Sequence, residues 1–231
     1  MNKKQIINDE FLKSIDSRYV FSNNTINRFK IQPNQDDIKS KLENLKNRIS
    51  DIKDCELKNN SNKLVFSDGN FNSKIMVVGE GPGEKEDIIG KPFVGDAGNL
   101  LNKMFSAINI KRKNIYITNV VNYRPPKNRK PTPSEISRYS KFLMEHILLI
   151  DPQILIIMGS TAMEALIGGN LKISKERGHW KEVIIKNKTY LSIITFHPAY
   201  LLRQPDQKKY SWSDLKEIRK KIDALNINLD S

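Results

Sequence analysis

Three polar side chains follow apolar runs that have the composition of buried strands. Glu80 comes after the run 75–78, Asn119 lies near the end of the run 115–121, and His197 comes after the run 190–196. In open α/β folds, ligands bind outside the carboxyl ends of parallel strands, so the three side chains are expected at one edge of a sheet. There an acid could place a water molecule, an amide could read the edge of a planar ring, and an imidazole could stabilise a developing anion.

Each of these side chains also has an ordinary structural explanation. Glu80 could cap a turn, Asn119 is a good turn former, and a lone histidine before proline, such as His197, is usually structural. Their convergence on one edge favours a shared site over three separate roles. Phe93 could then supply a flat face on which a ring stacks.

The glycine-rich loop after the first of these strands does not fit a dinucleotide-binding fingerprint. That motif needs a third glycine where this chain has Glu84, and Pro82 stiffens the turn. Four acidic side chains would also repel a phosphate, namely Glu80, Glu84, Glu86 and Asp87. A nucleotide cradle is therefore disfavoured, and a rigidly held carboxylate suits the loop better.

Strand patterns alternate with helical patterns along the chain. The helical patterns lie at 36–54, 96–108, 132–147 and 212–225, and the third of them opens with the capping-box sequence Thr132-Pro133-Ser134-Glu135. This alternation predicts an α/β fold of three αβα layers around a central, mostly parallel four-stranded sheet. We assign residues 1–50 to a polar, partly helical N-terminal extension and residues 51–231 to the α/β domain.

The length and charge of the chain point to one domain with a polyanionic partner. The 231 residues can form one domain of roughly 170 to 200 residues plus a tail. The formal net charge of +13 favours a nucleic acid partner, because lysine and arginine displace condensed counterions from phosphates. An incidentally basic surface is the alternative, since the chain is rich in Lys, Asn and Ile throughout.

The cysteine content and the lengths of the apolar runs indicate in which cellular compartment the protein is expected. Cys55 is the single cysteine, so the chain can form no internal disulfide and no metal cluster held by several of its own cysteines. The N-terminal sequence lacks the apolar core of a signal peptide, and no apolar run approaches the 18 residues of a membrane span. We expect an intracellular, cytoplasmic monomer without a membrane partner.

Five segments resemble the family 4 uracil-DNA glycosylases, in order and without gaps inside the motifs. They are GEGPGEKEDIIGKPFVGDAGNLL (79–101), IYITNVVNYRPPKNRKPTPSEI (115–136), ILIIMG (154–159), ERGHW (176–180) and FHPAYLLRQPDQKKYSWSDL (196–215). The resemblance covers roughly residues 53–225. It implies a monofunctional enzyme that hydrolyses the bond between uracil and deoxyribose in single- or double-stranded DNA, using water and no lysine Schiff base.

The resemblance also assigns roles to the three polar side chains. Glu80 would place the hydrolytic water or face the cationic sugar, and His197 would stabilise the departing uracil anion. Asn119 would bind the imide edge of uracil and reject cytosine, whose donors and acceptors are reversed. The base would also contact Gly81, Pro82, Gly83 and Phe93, with Glu86 and Asp87 supporting the loop.

A glycosylase must also grip DNA and fill the gap that an extruded nucleotide leaves. By the resemblance, the DNA-contacting residues would be Arg124, Asn128, Arg129, Tyr200, Leu201, Leu202 and Arg203. The apolar groups beside His197 suit insertion into the base stack, and the arginines suit phosphate contacts. Ordinary core packing is the alternative for Leu201 and Leu202.

The chain departs from the family pattern at the iron–sulfur site. Family 4 members typically bind a four-iron, four-sulfur cluster through four cysteines, and here Cys55 is the one cysteine at a matching position. The other expected ligand positions hold Ile52, Tyr123 and Tyr139. One thiolate cannot hold such a cluster, so we expect no cofactor and aromatic packing in its place.

Two rival functions stay open: a catalytically silent DNA-binding protein, and a glycosylase with a wider range of deaminated bases.

Overall fold

The structure is a computed structural model that describes residues 35–169 and 171–229. Its strands are β1 (Asp68–Gly69), β2 (Ile75–Gly79), β3 (Tyr116–Asn119), β4 (Ile154–Met158), β5 (Trp180–Ile185) and β6 (Lys188–Thr195). Its helices are α1 (Gln35–Ser50), α2 (Glu56–Asn59), α3 (Glu84–Ile89), α4 (Asp96–Ser106), α5 (Pro133–Ile150), α6 (Ser160–Ile167), α7 (Ile173–Glu176), α8 (Pro198–Arg203) and α9 (Lys208–Ala224). Short 3₁₀ turns lie at Arg112–Asn114, Pro126–Asn128 and Pro205–Gln207.

The strands form one sheet in the order β1-β3-β2-β4-β6-β5. The four central strands β3, β2, β4 and β6 are parallel, which confirms the predicted mostly parallel core. The sheet has six strands in the described residues, not four, because β1 and β5 add antiparallel edges. With two residues, β1 is too short to leave a periodic signal, and β5 is polar and partly exposed, with Ile184 72% exposed.

Helices cover both faces of the sheet, as the three-layer prediction requires. In β2, Met76 and Val78 join one buried cluster, while Ile75 and Val77 join the other. This alternation follows from the two-residue period of a strand, so an unbroken apolar run serves two cores. Helices α1, α5 and α6 contribute to the first cluster, and α4, α8 and α9 contribute to the second.

Helix α1 uses its predicted apolar face, which buries Leu42, Leu45 and Ile49 in the first cluster. Residues 1–34 of the predicted extension lie outside the described residues, and the boundary between extension and domain stays a prediction. None of the described helices is long and apolar enough to cross a membrane.

The capping box predicted at the start of α5 is present. The Thr132 hydroxyl accepts a hydrogen bond from the Glu135 amide at 3.3 Å, and the Glu135 carboxylate accepts one from the Thr132 amide at 2.7 Å. The same carboxylate accepts hydrogen bonds from both terminal nitrogens of Arg129, at 2.7 and 2.8 Å. The cap therefore also fixes the basic loop that precedes the helix.

We expect Thr132→Ala to lower the free energy of unfolding by about 1 kcal/mol, because one orphan amide of α5 loses its side-chain acceptor. Urea denaturation followed by circular dichroism measures the change. Thr132→Ser keeps the hydroxyl and serves as the control. Equal stability of all three proteins would contradict the role of this cap.

Candidate active site

The predicted site residues lie at the carboxyl ends of four adjacent parallel strands. Gly79 of β2 is in register with Asn119 of β3, and the pairing continues beyond the strands, since the Val121 amide donates to the Glu80 carbonyl at 3.2 Å. Strand β4 separates β2 from β6, and Gly159 follows it. A Cβ on Gly159 would lie 3.0 Å from the His197 Cβ, so the glycine is what allows the histidine to approach.

An open cleft of about 860 Å³ lies at this edge of the sheet. Eleven residues named from the sequence line it, and they are Glu80, Gly81, Pro82, Gly83, Glu86, Phe93, Asn128, Arg129, His197, Tyr200 and Arg203. Asn119 does not line the cleft. A cleft of this volume, lined by a few convergent polar groups, is large enough for a nucleotide.

Glu80 is partly buried and faces the cleft. The hydroxyl of Thr161, from the first turn of α6, donates a short hydrogen bond to its carboxylate Oε2. Thr161 is 3% exposed, so this contact is shielded from solvent and fixes one carboxylate oxygen. The other oxygen is left to act on a bound water or substrate.

His197 is held as a neutral imidazole. Its Nδ1 accepts a hydrogen bond from the Ala199 amide at 3.2 Å, which places the ring proton on Nε2 in the neutral tautomer. Burial lowers the pKa of His197 to about 4, and the charge of Arg203 adds to this shift. Nε2 is buried and has no hydrogen-bond partner among the described residues. The site therefore holds a donor without an acceptor.

Asn119 presents the complementary orphan. The residue is 3% exposed, and its Oδ1 has no hydrogen-bond partner among the described residues. That oxygen and the Phe93 Cζ each lie 2.5 Å from the position that a Cβ on Gly79 would occupy. The Phe93 ring in turn lies 5.3 Å from the His197 ring, centroid to centroid. Phe93 thus lies beside both residues that carry the orphan atoms.

The backbone around Phe93 is fixed from two sides. Phe93 has a φ of 52°, in the left-handed region that non-glycine residues rarely adopt. Arg112 donates to the Pro92 carbonyl at 2.6 Å and to the Phe93 carbonyl at 2.9 Å, while Asp68 accepts from its Nε at 2.7 Å. The Glu86 carboxylate accepts the next two amides, at 2.8 Å each. These contacts hold a strained turn in place.

The two acidic residues expected to support the loop act on different segments. Glu86 binds the amides of Val94 and Gly95, and a Cβ on Gly83 would lie 2.8 Å from its Oε2. Asp87, which is 1% exposed, instead accepts from the Asn62 side chain and from the amides before β1. Both are structural anchors, and Glu86 is the one beside the cleft.

The residues expected to contact DNA fall into two groups. Leu202 is 44% exposed and Arg203 is exposed at the cleft, whereas Leu201 is 1% exposed and packs in the second core cluster. Leu201 is thus core, as the alternative held, and cannot reach DNA from this position. The Tyr200 ring packs on the Phe196 ring at a tilt of 45°, with centroids 4.9 Å apart.

The two arginines of the 122–131 loop already have partners inside the protein. Arg124 donates to the Asn128 side chain at 2.8 Å and does not line the cleft. Arg129 donates two hydrogen bonds to the Glu135 carboxylate and one to the Lys130 carbonyl, and the contact with Glu135 lowers the pKa of that carboxyl. Their first task is to shape the loop, in which Lys127 and Asn128 have φ of 54° and 56°.

Sequence reasoning missed the residues that position the site. Besides Thr161 and Arg112, they include Arg177 and Asp214, which lie in motifs quoted for the resemblance but received no role. Asp214 is 1% exposed, accepts from Arg177 and from Thr195 two residues before His197, and burial raises its pKa. The Arg177 guanidinium lies 5.6 Å from the Phe196 ring. The sequence motifs could single out Arg177 and Asp214 as candidates, but they could not show which residues these two contact.

The positions that would ligate an iron–sulfur cluster hold packing residues. Cys55, Tyr123 and Tyr139 are buried in the first core cluster, with Ile52 partly buried against it. The Cys55 Sγ lies 3.4 Å from the Tyr139 hydroxyl. Among the described residues, no group of three or more Cys, His, Asp or Glu could hold a metal ion. One thiol and two phenols do not fit a cluster that needs about four thiolates.

We expect the His197 imidazole to stay neutral from pH 8 down to about pH 5, because its pKa is lowered to about 4. Proton NMR of the ring Cε1–H resonances over this range measures the titration. His197→Gln removes one resonance and assigns it. A titration midpoint near the ordinary value of about 6.5 would contradict the expected burial.

Comparison with known proteins identifies the family of the chain. Residues 66–217 match the uracil DNA glycosylase superfamily. The chain is similar to the type-4 uracil-DNA glycosylase of Thermotoga maritima, with 40% identity over 163 residues that cover 70% of this chain and 83% of that protein. It is also similar to the type-4 enzymes of Archaeoglobus fulgidus (35% over 183 residues; 77% and 91%) and Sulfurisphaera tokodaii (38% over 186 residues; 77% and 83%). The chain therefore belongs to the uracil DNA glycosylase superfamily, within its type-4 group.

Proposed function

We propose that the protein is a monofunctional uracil-DNA glycosylase that starts base-excision repair. The observation that carries the proposal is the pair of buried, unpartnered polar atoms at one sheet edge, Asn119 Oδ1 and His197 Nε2. A buried polar atom without a partner costs about 1 to 3 kcal/mol, so two at one edge call for a ligand. An acceptor and a donor placed around one aromatic ring fit a flipped pyrimidine.

Uracil and cytosine differ in the edge that this site would read. Uracil presents an N3–H donor that Asn119 Oδ1 could accept, and a neighbouring carbonyl that the amide nitrogen could bind. Cytosine presents an unprotonated N3 and an amino group, so its donors and acceptors face the amide the wrong way. Leaving buried polar groups unpaired is what gives such a site strong discrimination.

The chemistry divides between His197 and Glu80. As the bond between N1 of the base and C1′ of the sugar breaks, its electron pair stays on uracil, and the neutral His197 Nε2–H donates a hydrogen bond to the developing oxyanion. Water adds to the cationic C1′, and its proton passes to the Glu80 carboxylate. Glu80 then releases this proton to solvent, and the uracil anion takes up a proton from solvent. The products are uracil and an abasic site, so no strand break follows.

Base binding requires the Phe93 side chain to turn. Asn119 Oδ1 and His197 Nε2 are both buried, and the Phe93 ring lies beside both residues. Because Arg112 and Glu86 hold the backbone on either side of Phe93, the movement falls on its side-chain torsions. The turned ring would then stack on the uracil that replaces it.

Extrusion of the nucleotide leaves a gap in the stack, which an exposed apolar side chain can fill. Leu202 is the leucine available for this, and it adjoins Arg203 at the cleft. The proposal therefore places Leu202 in the gap and Arg203 on a phosphate. A silent DNA-binding protein would have no need for the sealed donor and acceptor pair.

We expect Glu80→Gln, Asn119→Ala and His197→Ala each to lower the rate of uracil release by about 10²- to 10⁴-fold, because each removes a group that acts at the reacting base or water. Release is measured on uracil-containing oligonucleotides, with alkali to cleave at abasic sites. Oligonucleotides carrying hypoxanthine test the wider base range. Uracil release at the wild-type rate by all three variants would refute the site assignment. If the wild-type protein itself releases no uracil, the catalytically silent DNA-binding protein is favoured.

We expect Arg112→Met to raise KM about tenfold with little change in kcat, because the Phe93 turn loses two carbonyl hydrogen bonds worth together about 1.4 kcal/mol. Steady-state excision kinetics give the two constants. Arg112→Lys keeps the charge beside Asp68 but not the planar fork, so an intermediate KM is expected. A fall in kcat with unchanged KM would contradict a role in holding the base.

We propose that the enzyme works without an iron–sulfur cluster. Purified protein should be active, colourless and free of stoichiometric iron, because Tyr123 and Tyr139 occupy the packed core where cysteines would ligate. Iron analysis and the visible absorption spectrum, taken on protein expressed with ample iron, test this. About four irons per chain would overturn the proposal.

A further inference from the structure

The cleft has a second basic border that the motif residues do not account for. Ile173 and Ser174 of helix α7 line the same cleft as Glu80 and His197. Lys172 and Lys175 flank them in sequence, and both lysines are exposed. We call residues 172–175 the second rim.

The charges of the second rim are available, whereas those beside it are not. The side-chain ammonium groups of Lys172 and Lys175 have no hydrogen-bond or ion-pair partner in the described part of the chain. Glu176, the next residue in sequence, pairs with Lys181 at 2.8 Å, and Asp214 pairs with Arg177. These two acids are thus paired with other cations, which leaves the two lysines able to attract an anion at the cleft.

The two lysines are also arranged as a pair. They lie three residues apart, and the Lys175 amide donates to the Lys172 carbonyl at 2.9 Å within one turn. Lys172 is the N-cap of α7 and Lys175 lies within that helix, so one turn of backbone carries both cations. Two cations on one turn suit successive phosphates of a single strand.

The position of the second rim in the sheet differs from that of the predicted basic loop. The 122–131 loop follows β3, whereas α7 packs beside β6, where the Gly178 amide donates to the Ile194 carbonyl at 2.9 Å. Strands β2 and β4 lie between β3 and β6 in the sheet. The second rim and the loop therefore flank Glu80 from either side.

We propose that Lys172 and Lys175 bind backbone phosphates of the uracil-containing strand, so that the DNA is held on both sides of the cleft. The inference rests on the proposed function for the identity of the ligand. It adds to the motif-based expectation, which placed phosphate contacts on Arg124, Arg129 and Arg203. Of these arginines, Arg124 and Arg129 are bound to Asn128 and Glu135, and the second rim supplies two further cations that have no side-chain partner in the described residues.

The test compares two double variants of equal charge. Lys172→Gln with Lys175→Gln removes the second rim, and Lys74→Gln with Lys186→Gln is the control. Lys74 and Lys186 are exposed and lie before β2 and β6, at the end of the sheet away from the cleft. Binding to undamaged and to uracil-containing duplexes is measured by fluorescence anisotropy across a salt series, with thermal unfolding as a check on folding.

We expect the rim variant to reduce the slope of log K against log salt concentration by about 1.8, two phosphate contacts at about 0.9 each, while the control keeps the wild-type slope. The rim variant should also raise KM for excision at moderate salt and leave kcat unchanged. Equal slopes for the two variants, or an unchanged slope for the rim variant, would overturn the proposal. If the wild type binds DNA but releases no uracil, a smaller slope for the rim variant would support the role of the second rim and refute the glycosylase assignment.

Discussion

The site depends on close approach at the ends of two strands. Gly79 ends β2 and Gly159 follows β4, and a Cβ at either position would press on a site residue. At Gly79 it would meet both the Asn119 amide and the Phe93 ring at 2.5 Å, which leaves no room for any other side chain. The parallel register brings the strand ends together, and the missing side chains let an amide, a ring and an imidazole occupy one small volume.

Close packing at this edge has an electrostatic consequence. Burial removes water from Asn119 Oδ1 and His197 Nε2 without supplying a partner from residues 35–169 or 171–229, and the same burial lowers the pKa of His197. A neutral imidazole donates a hydrogen bond without first repelling Arg203, which lies on the same short helix segment. The fold therefore keeps polar groups unsatisfied in the free protein, at a cost in stability that a bound base would offset.

The 122–131 loop shows how protein contacts shape a basic loop beside the cleft. The Arg129–Glu135 pair joins the loop to the cap of α5, and Arg124 holds Asn128 in a left-handed turn. Behind the loop, Tyr123 and Tyr139 pack with Cys55 in the core. Side-chain packing and charge-assisted hydrogen bonds thus act on both flanks of the loop, which accounts for its defined shape without metal coordination.

The sequence predicted what depends on pattern and missed what depends on contact. The parallel core, the cap at Thr132 and the convergence of Glu80 and His197 follow from strand composition and order, which are local properties. The edge strands β1 and β5 carry no such signal, and the burial of Leu201 beside the exposed Leu202 depends on which way α8 faces the core. Arg112 shows the limit most clearly. It lies 19 residues from Phe93, in an unremarkable basic stretch, and its role exists because β3 places its guanidinium against the Phe93 turn. A cation in a basic sequence can either bind DNA or hold the backbone, and the choice is set by the carbonyls and carboxylates that the fold brings within reach of it.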